Sequence, residues 1–208
     1  MTDTDTLIDQ LADRGATPPA NIILRFAGPL AGVALLCIIG VALTFNFVLL
    51  SEARSEFSPL VTKWGFSIAL LLLATAVLWA LGRPGARTRG PMLTLAIPFV
   101  LVGALLVLDL ALSNSTFPGA TWRRCLLAMS VMSPVAFAGA IIAVRWLAPT
   151  NLRKAGFVAG MFGGAVAMTA YAPFCPELGV AYMAVFYCLP ILTMAAIGWM
   201  IGRKLLRW

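Results

Sequence analysis

The sequence predicts an all-α fold: a polytopic membrane bundle of six transmembrane helices behind a short amino-terminal tail. Three observations carry this. Hydrophobic residues make up 61% of the 208-residue chain and charged residues 11%, with a mean hydropathy of +0.95. A soluble domain carries roughly 25% charge, and no water-soluble fold covers that much apolar surface. The apolar residues gather in six runs near the ~20 residues that a helix needs to cross the hydrocarbon. Basic residues sit at the ends of those runs rather than in one patch, so the net charge of +7 is no nucleic-acid signature.

The chain divides into residues 1–25, a cytoplasmic tail, and 26–208, a membrane domain. The first 20 residues are polar and lack the apolar core of a cleaved signal peptide. From Thr2 to Asp13 they read as a short amphipathic helix. Leu7, Ile8, Leu11 and Ala12 fall on one face, and Asp5, Asp9 and Asp13 form a stripe on another. Gly15 and Pro18-Pro19 end it. A helix of roughly ten residues is marginal alone in water, so the tail is expected to order on binding a partner.

The spans are expected at Pro29–Leu50, Trp64–Leu81, Met92–Leu112, Leu126–Leu147, Ala155–Ala172 and Val180–Ile201. Helices satisfy their own backbone groups in lipid, and the alternating pattern of a membrane barrel is absent. With the tail in the cytoplasm, eleven of the 15 basic residues lie inside, leaving Arg54, Lys63, Arg123 and Arg124 outside. That bias places both termini in the cytoplasm of a bacterial inner membrane. Gly156, Gly160 and Gly164 form two overlapping GxxxG steps, and Gly28/Gly32 and Gly198/Gly202 repeat the spacing, which lets helix backbones approach closely. Contact within one bundle is the simpler expectation; a dimer interface is the other. Pro98, Pro134 and Pro190 lie inside spans and are expected to kink them.

Chemistry concentrates at the outer face. Cys125 opens the fourth span, and Cys175 lies on the bend between the fifth and sixth, in Tyr171-Ala172-Pro173-Phe174-Cys175-Pro176-Glu177. Prolines on both sides of Cys175 forbid a continuous helix. An outer compartment permits disulfides. The pair is a candidate for oxidant sensing, or for a soft metal ion such as Cu(I) or Zn(II) held by thiolates. Arg123 and Arg124 are expected to raise the reactivity of Cys125. The competing reading makes each cysteine a small buried hydrophobe, as expected for Cys37 and Cys188. The chain contains no histidine, which removes the commonest general base and metal ligand.

Three separated motifs then converge. Asp5-Thr6-Leu7-Ile8-Asp9-Gln10-Leu11-Ala12 resembles a D-x-L-I-x-x-L-A opening, and Trp122-Arg123-Arg124-Cys125-Leu126 resembles W-x-x-C-L. Tyr171 to Glu177, then Phe186-Tyr187 and Gly202 to Trp208, resemble Y-A-x-H-C-P-E, W-Y and a G-x-x-L-x-R-W ending. In order and topology these resemble the NrsF family, six-span inner-membrane anti-sigma factors that restrain a sigma-F-type extracytoplasmic-function (ECF) sigma factor. The resemblance implies that the amino-terminal segment, through Asp5, Leu7, Ile8, Asp9, Leu11 and Ala12, holds the sigma factor away from core RNA polymerase. It implies that Cys125 and Cys175, supported by Trp122, Pro176 and Glu177, detect metal or oxidative stress. The chain departs from the family pattern at Phe174, where histidine is frequent, and at Phe186, where tryptophan is usual. Losing that imidazole favours thiol redox chemistry or an all-sulfur site.

Other classes fit less well. A transporter or channel wants polar groups at mid-membrane, and apart from Asp109 the spans offer almost none. A membrane thiol oxidoreductase usually carries a CxxC pair, which is absent.

Overall fold

The computed structural model describes residues 6, 8–10, 21–44, 57–83, 88–112, 121–175, 177 and 179–207. Among them no strand occurs, and six helical rods are long and apolar enough to cross a membrane. The first rod is α1 (Ile22–Thr44) and the second is α2 (Phe57–Leu81). The third is broken into α3 (Arg89–Thr94) and α4 (Ala96–Leu112). The fourth is α5 (Trp122–Arg145) and the fifth α6 (Leu152–Tyr171). The sixth is broken into α7 (Val180–Phe186) and α8 (Cys188–Leu205).

Several rods run further than their apolar runs. The first helix begins at Ile22, not Pro29, because Ile22-Ile23-Leu24 extend the apolar stretch and Pro29 is carried inside the helix. The second begins at Phe57, well before Trp64. This draws Lys63 into the rod, a correction with functional weight. Residues 45–50, the expected end of the first span, lie outside the described residues.

The prolines act as their chemistry requires, in two of three cases. Proline lacks an N–H and crowds the carbonyl four residues earlier. Both rod breaks lie three residues ahead of a proline, at Leu95 before Pro98 and at Tyr187 before Pro190. Pro134 leaves α5 uninterrupted.

The fifth rod is the axis of the bundle. Along its most apolar stretch 89% of residues are buried, against 22% for the first rod and 17% for the third. Glycines make this closeness available. A Cβ on Gly160 would lie 2.7 Å from Ala195 Cα, and one on Gly156 or Gly164 would lie 2.8 Å from Gly202 Cα or Ile191 Cα. Gly163 faces the other way, where a Cβ would meet the Ser133 carbonyl of α5 at 2.7 Å. The GxxxG steps therefore seat α6 against α8 within one chain. Gly28 and Gly32 share the spacing but have open space around them.

The ends are secured by polar groups. Asn151 Oδ1 accepts from Lys154 N at 3.1 Å and caps α6, while Arg203 and Lys204 sit in the last turn of α8, where the helix dipole favours cations. Arg25 lies over the Trp146 ring at 5.1 Å. The start of α1 is therefore beside the end of α5. Outward-facing side chains such as Leu43, Leu93, Val131 and Met200 are largely exposed, as a lipid-facing surface requires.

Candidate functional site

At the opposite end of α5 from Trp146, four rods bring chemistry together. Cys125 lies in the first turn of α5 and is fully buried. The Pro190 ring leaves the Phe186 carbonyl without its usual helical donor, and the Cys125 thiol points at that oxygen from 3.8 Å. Thus the break in the sixth rod has a local use: it presents an acceptor to the cysteine.

Cys175 follows α6. The helix ends at Tyr171, Ala172–Phe174 form a single 3-10 turn, and Cys175 is extended at φ −101°, ψ 112°. Pro173 within that turn accords with the expected stop; Pro176 lies outside the described residues. The thiol is not presented to solvent, since Cys175 is 4% exposed. Both cysteines are free, and they lie close enough to interact electrostatically. Burial is what the packing alternative expected; the company they keep is not.

That company begins with Lys63, counted as a basic residue of an outer loop by the sequence alone. It is 1% exposed. Its ammonium donates to the Cys175 carbonyl at 3.3 Å and to the Glu177 carbonyl, and it lies 5.9 Å from the centre of the Tyr187 ring. The cation beside the thiols is therefore Lys63. The Arg123 guanidinium instead stacks on the Trp122 ring at 5.2 Å.

Tyrosine completes the chamber. All three tyrosines of the chain, Tyr171, Tyr182 and Tyr187, are buried around the thiols. The Tyr182 and Tyr187 hydroxyls are buried within hydrogen-bond reach of the Cys125 thiol, Tyr182 also of Thr121 and Tyr187 also of Cys175. A thiol is a weak acceptor, so a hydroxyl bonded to one adds little to stability. Tyr187→Phe is therefore expected to lower thermal stability by no more than about 1 kcal/mol, measured as unfolding of the purified chain in detergent. A larger loss would mean that the hydroxyl is held by a stronger acceptor than a thiol.

Trp122 and Glu177, expected from the sequence to support the cysteines, both lie beside the chamber. The Trp122 ring lies 6.1 Å from Phe186, which lies 4.8 Å from Tyr182, so aromatic rings close one side. Glu177 Oε1 accepts from Thr121 N at 3.3 Å and Thr121 Oγ1 at 3.4 Å. A carboxylate there complements the positive end of the α5 dipole. The turn is thereby tied to α5 through its carboxylate and to α2 through its carbonyls. Among the described residues no group of three or more His, Cys, Asp or Glu gathers as a metal site. Cys125 and Cys175 are the pair available to a soft ion.

The tail residues stand apart. Ile8 and Asp9 are helical and exposed, while Asp5, Leu7, Leu11 and Ala12 lie outside the described residues.

Residues 11–208 match the NrsF family, described as negative regulator of sigma F. The chain is 35% identical over 151 residues to the probable anti-sigma-F factor NrsF of Azospira oryzae, covering 70% of this chain and 71% of that protein. It is 32% identical over 221 aligned positions to the anti-sigma-F factor NrsF of Caulobacter vibrioides, covering 99% of each. No solved structure matches it.

Proposed function

We propose how this chain acts, given that it belongs to the NrsF family, the negative regulators of sigma F. It is an anti-sigma factor, a regulator rather than an enzyme, and its partner is a sigma factor. In our reading that partner is of the ECF type and is held at the bacterial inner membrane. Both termini are cytoplasmic, and the amino-terminal segment does the holding. Leu7, Ile8 and Leu11 enter a groove as helix anchors, with Ala12 small enough to let the helix approach. Asp5 and Asp9 face basic surface that the sigma factor otherwise offers to DNA or polymerase. Metal or oxidative stress at Cys125 and Cys175, on the periplasmic side, releases it.

One observation carries this reading: two cysteines 50 positions apart in sequence meet in a buried chamber with a lysine and three tyrosines. The topology supports it. Cys125 opens α5, and Arg25 at the start of α1 packs beside Trp146 at the other end. A 24-residue helix separates them by ~36 Å, a membrane thickness. A change at the thiols moves the fourth to sixth rods against α1, and so alters how the tail is presented.

The test uses the full chain and its sigma factor co-expressed. Deleting residues 1–20 is expected to abolish co-purification. Cys125→Ser and Cys175→Ser are expected to keep the sigma factor bound but to end its stress-induced release, read from a promoter reporter. Binding that survives the deletion would move the holding site elsewhere. Release that survives both substitutions would remove the thiols from sensing.

A further inference from the structure

We infer that a cleft between α1 and α5 holds one anionic phospholipid, with an acyl chain lying between the two rods and the phosphate at Arg124. This goes beyond the sensing role proposed for the thiols, and the site does not depend on that role.

The cleft follows from how the two rods meet. They run antiparallel, with Arg25 of α1 over Trp146 at the end of α5. They close at Gly139, where a Cβ would lie 2.7 Å from Val33 Cγ2. One turn or so nearer the Cys125 end, the Cys37 thiol still reaches the Met132 carbonyl at 3.9 Å. Towards Gly40 the rods part, and nothing lies within 4 Å of its Cβ position. The space left is about 420 Å³, lined by Leu36, Gly40 and Val41 of α1 and by Leu127, Val131 and Val135 of α5. Two polar side chains join the lining, and both protons are engaged: the Cys37 thiol at Met132, and the Thr44 hydroxyl at the Gly40 carbonyl of its own helix, 2.8 Å away. Nothing in the cleft selects a polar ligand. Between membrane rods, such a space borders hydrocarbon rather than water.

Length and charge name the occupant. From residue 124 to residue 135 is ~16 Å along a helix, and one leaflet of hydrocarbon is ~15 Å, half of the bilayer core. The cleft therefore runs from headgroup level to mid-membrane, as an acyl chain does. Leu127, Ala128, Val131 and Val135 follow Arg124 by three, four, seven and eleven residues, so all five share one face of α5. Arg124 is exposed just beyond Leu127. Its charge reaches Tyr171, but a tyrosine is neutral at neutral pH and does not compensate it. Glu177 is bonded to Thr121 at the start of α5, which leaves a phosphate to the Arg124 side chain rather than to the helix end. Guanidinium matches phosphate with paired, charge-assisted hydrogen bonds. A lipid so placed holds α1 apart from α5 over one leaflet. Because α1 leads to the tail, lipid composition then sets the resting position of α1; that consequence, unlike the site, rests on the coupling proposed above.

The experiment uses the full chain in nanodiscs of phosphatidylethanolamine doped with phosphatidylglycerol that carries a photoreactive diazirine on one acyl chain. Crosslinks, mapped by peptide mass spectrometry, are expected to concentrate at residues 36–44 and 127–135. The same label on phosphatidylethanolamine is expected to react there about fivefold less, the scale of one arginine facing an anionic lipid. Arg124→Gln is expected to erase that difference, and Arg124→Lys to keep most of it. Gly40→Leu fills the cleft where nothing lies within 4 Å of the Cβ position. It is expected to remove most crosslinks there, while those on the exposed side chains of α4, such as Val100 and Val107, persist. Crosslinks spread evenly over all rods overturn the site, as do none at the cleft, the result if a second copy or another part of the chain covers it. Equal reaction of the two lipids, or a preference that survives Arg124→Gln, overturns the headgroup assignment. If Gly40→Leu does not fold, Val131→Trp takes its place, and unchanged crosslinks in the variant that folds overturn the position of the acyl chain. None of these failures touches sensing by the thiols, which is read from sigma-factor release.

Discussion

Gly160→Val is expected to destabilise the fold on the order of 3 kcal/mol, the upper range for forcing extra carbon into a packed interior. The reason is geometric. At this position a bare Cβ would lie 2.7 Å from Ala195 Cα and 2.8 Å from the Met194 carbonyl carbon, and neither backbone atom can rotate away. Valine adds two further carbons in the same space, so α6 and α8 must separate along the seam that Gly156 and Gly164 share. The loss is measured by thermal unfolding in detergent and by folded yield after extraction. Gly103→Ala is the control. Nothing lies within 4 Å of that Cβ, and alanine is a better helix residue than glycine by roughly 0.5–1 kcal/mol, so stability should hold or rise. Equal behaviour of the two variants would mean that α6 and α8 do not touch as described.

Lys63→Ala is expected to open the thiol chamber. The carbonyls of Cys175 and Glu177 lie outside regular helix and take their hydrogen bonds from the Lys63 ammonium. Alanine removes that donor and leaves a void where the stem ran, together about 2–4 kcal/mol of local stability. Maleimide labelling of Cys175, followed by mass spectrometry, reads the result directly. In the wild type Cys175 is 4% exposed and should label slowly. A loss of 1.4 kcal/mol in local closure corresponds to about a tenfold faster rate, so at least that acceleration is expected. Unchanged labelling would mean that the turn is held by Glu177 on Thr121 alone.

These two residues also mark how far the sequence could be read. The glycine spacing on the fifth rod was visible and its packing role followed, because three small residues in register can serve little else in lipid. The partner rod was not visible: Gly28/Gly32 has the same spacing and meets nothing within 4 Å, so spacing alone does not select a seam. The six rods were legible because apolar run length is set by bilayer thickness. Their starts were not, since helices continue past the last apolar residue when a side chain finds a buried partner. Lys63 is the instance. Placed just before Trp64 at the edge of an apolar run, it reads as an interfacial cation that reaches water. Only the helical start at Phe57 puts it inside a rod, where a buried charge becomes a functional hypothesis. Cys125 and Cys175 were singled out by their flanking residues, and Glu177 by its place after Pro176. The tyrosines were not found as a group. Tyr171, Tyr182 and Tyr187 keep no common period, and only the hairpin of the fifth and sixth rods, with its break at Tyr187, brings them to one side.

The seam between α6 and α8 has a mechanical meaning. Where backbones rest on each other through glycine, neither sliding nor splaying is cheap, so the hairpin behaves as a stiff fork rather than as two independent prongs. Strain introduced at its tip, around Cys175, meets the break at Tyr187 before it reaches the seam. Whatever passes that break emerges as rotation of the stiff part of the fork against the loosely clad outer rods, α1 among them.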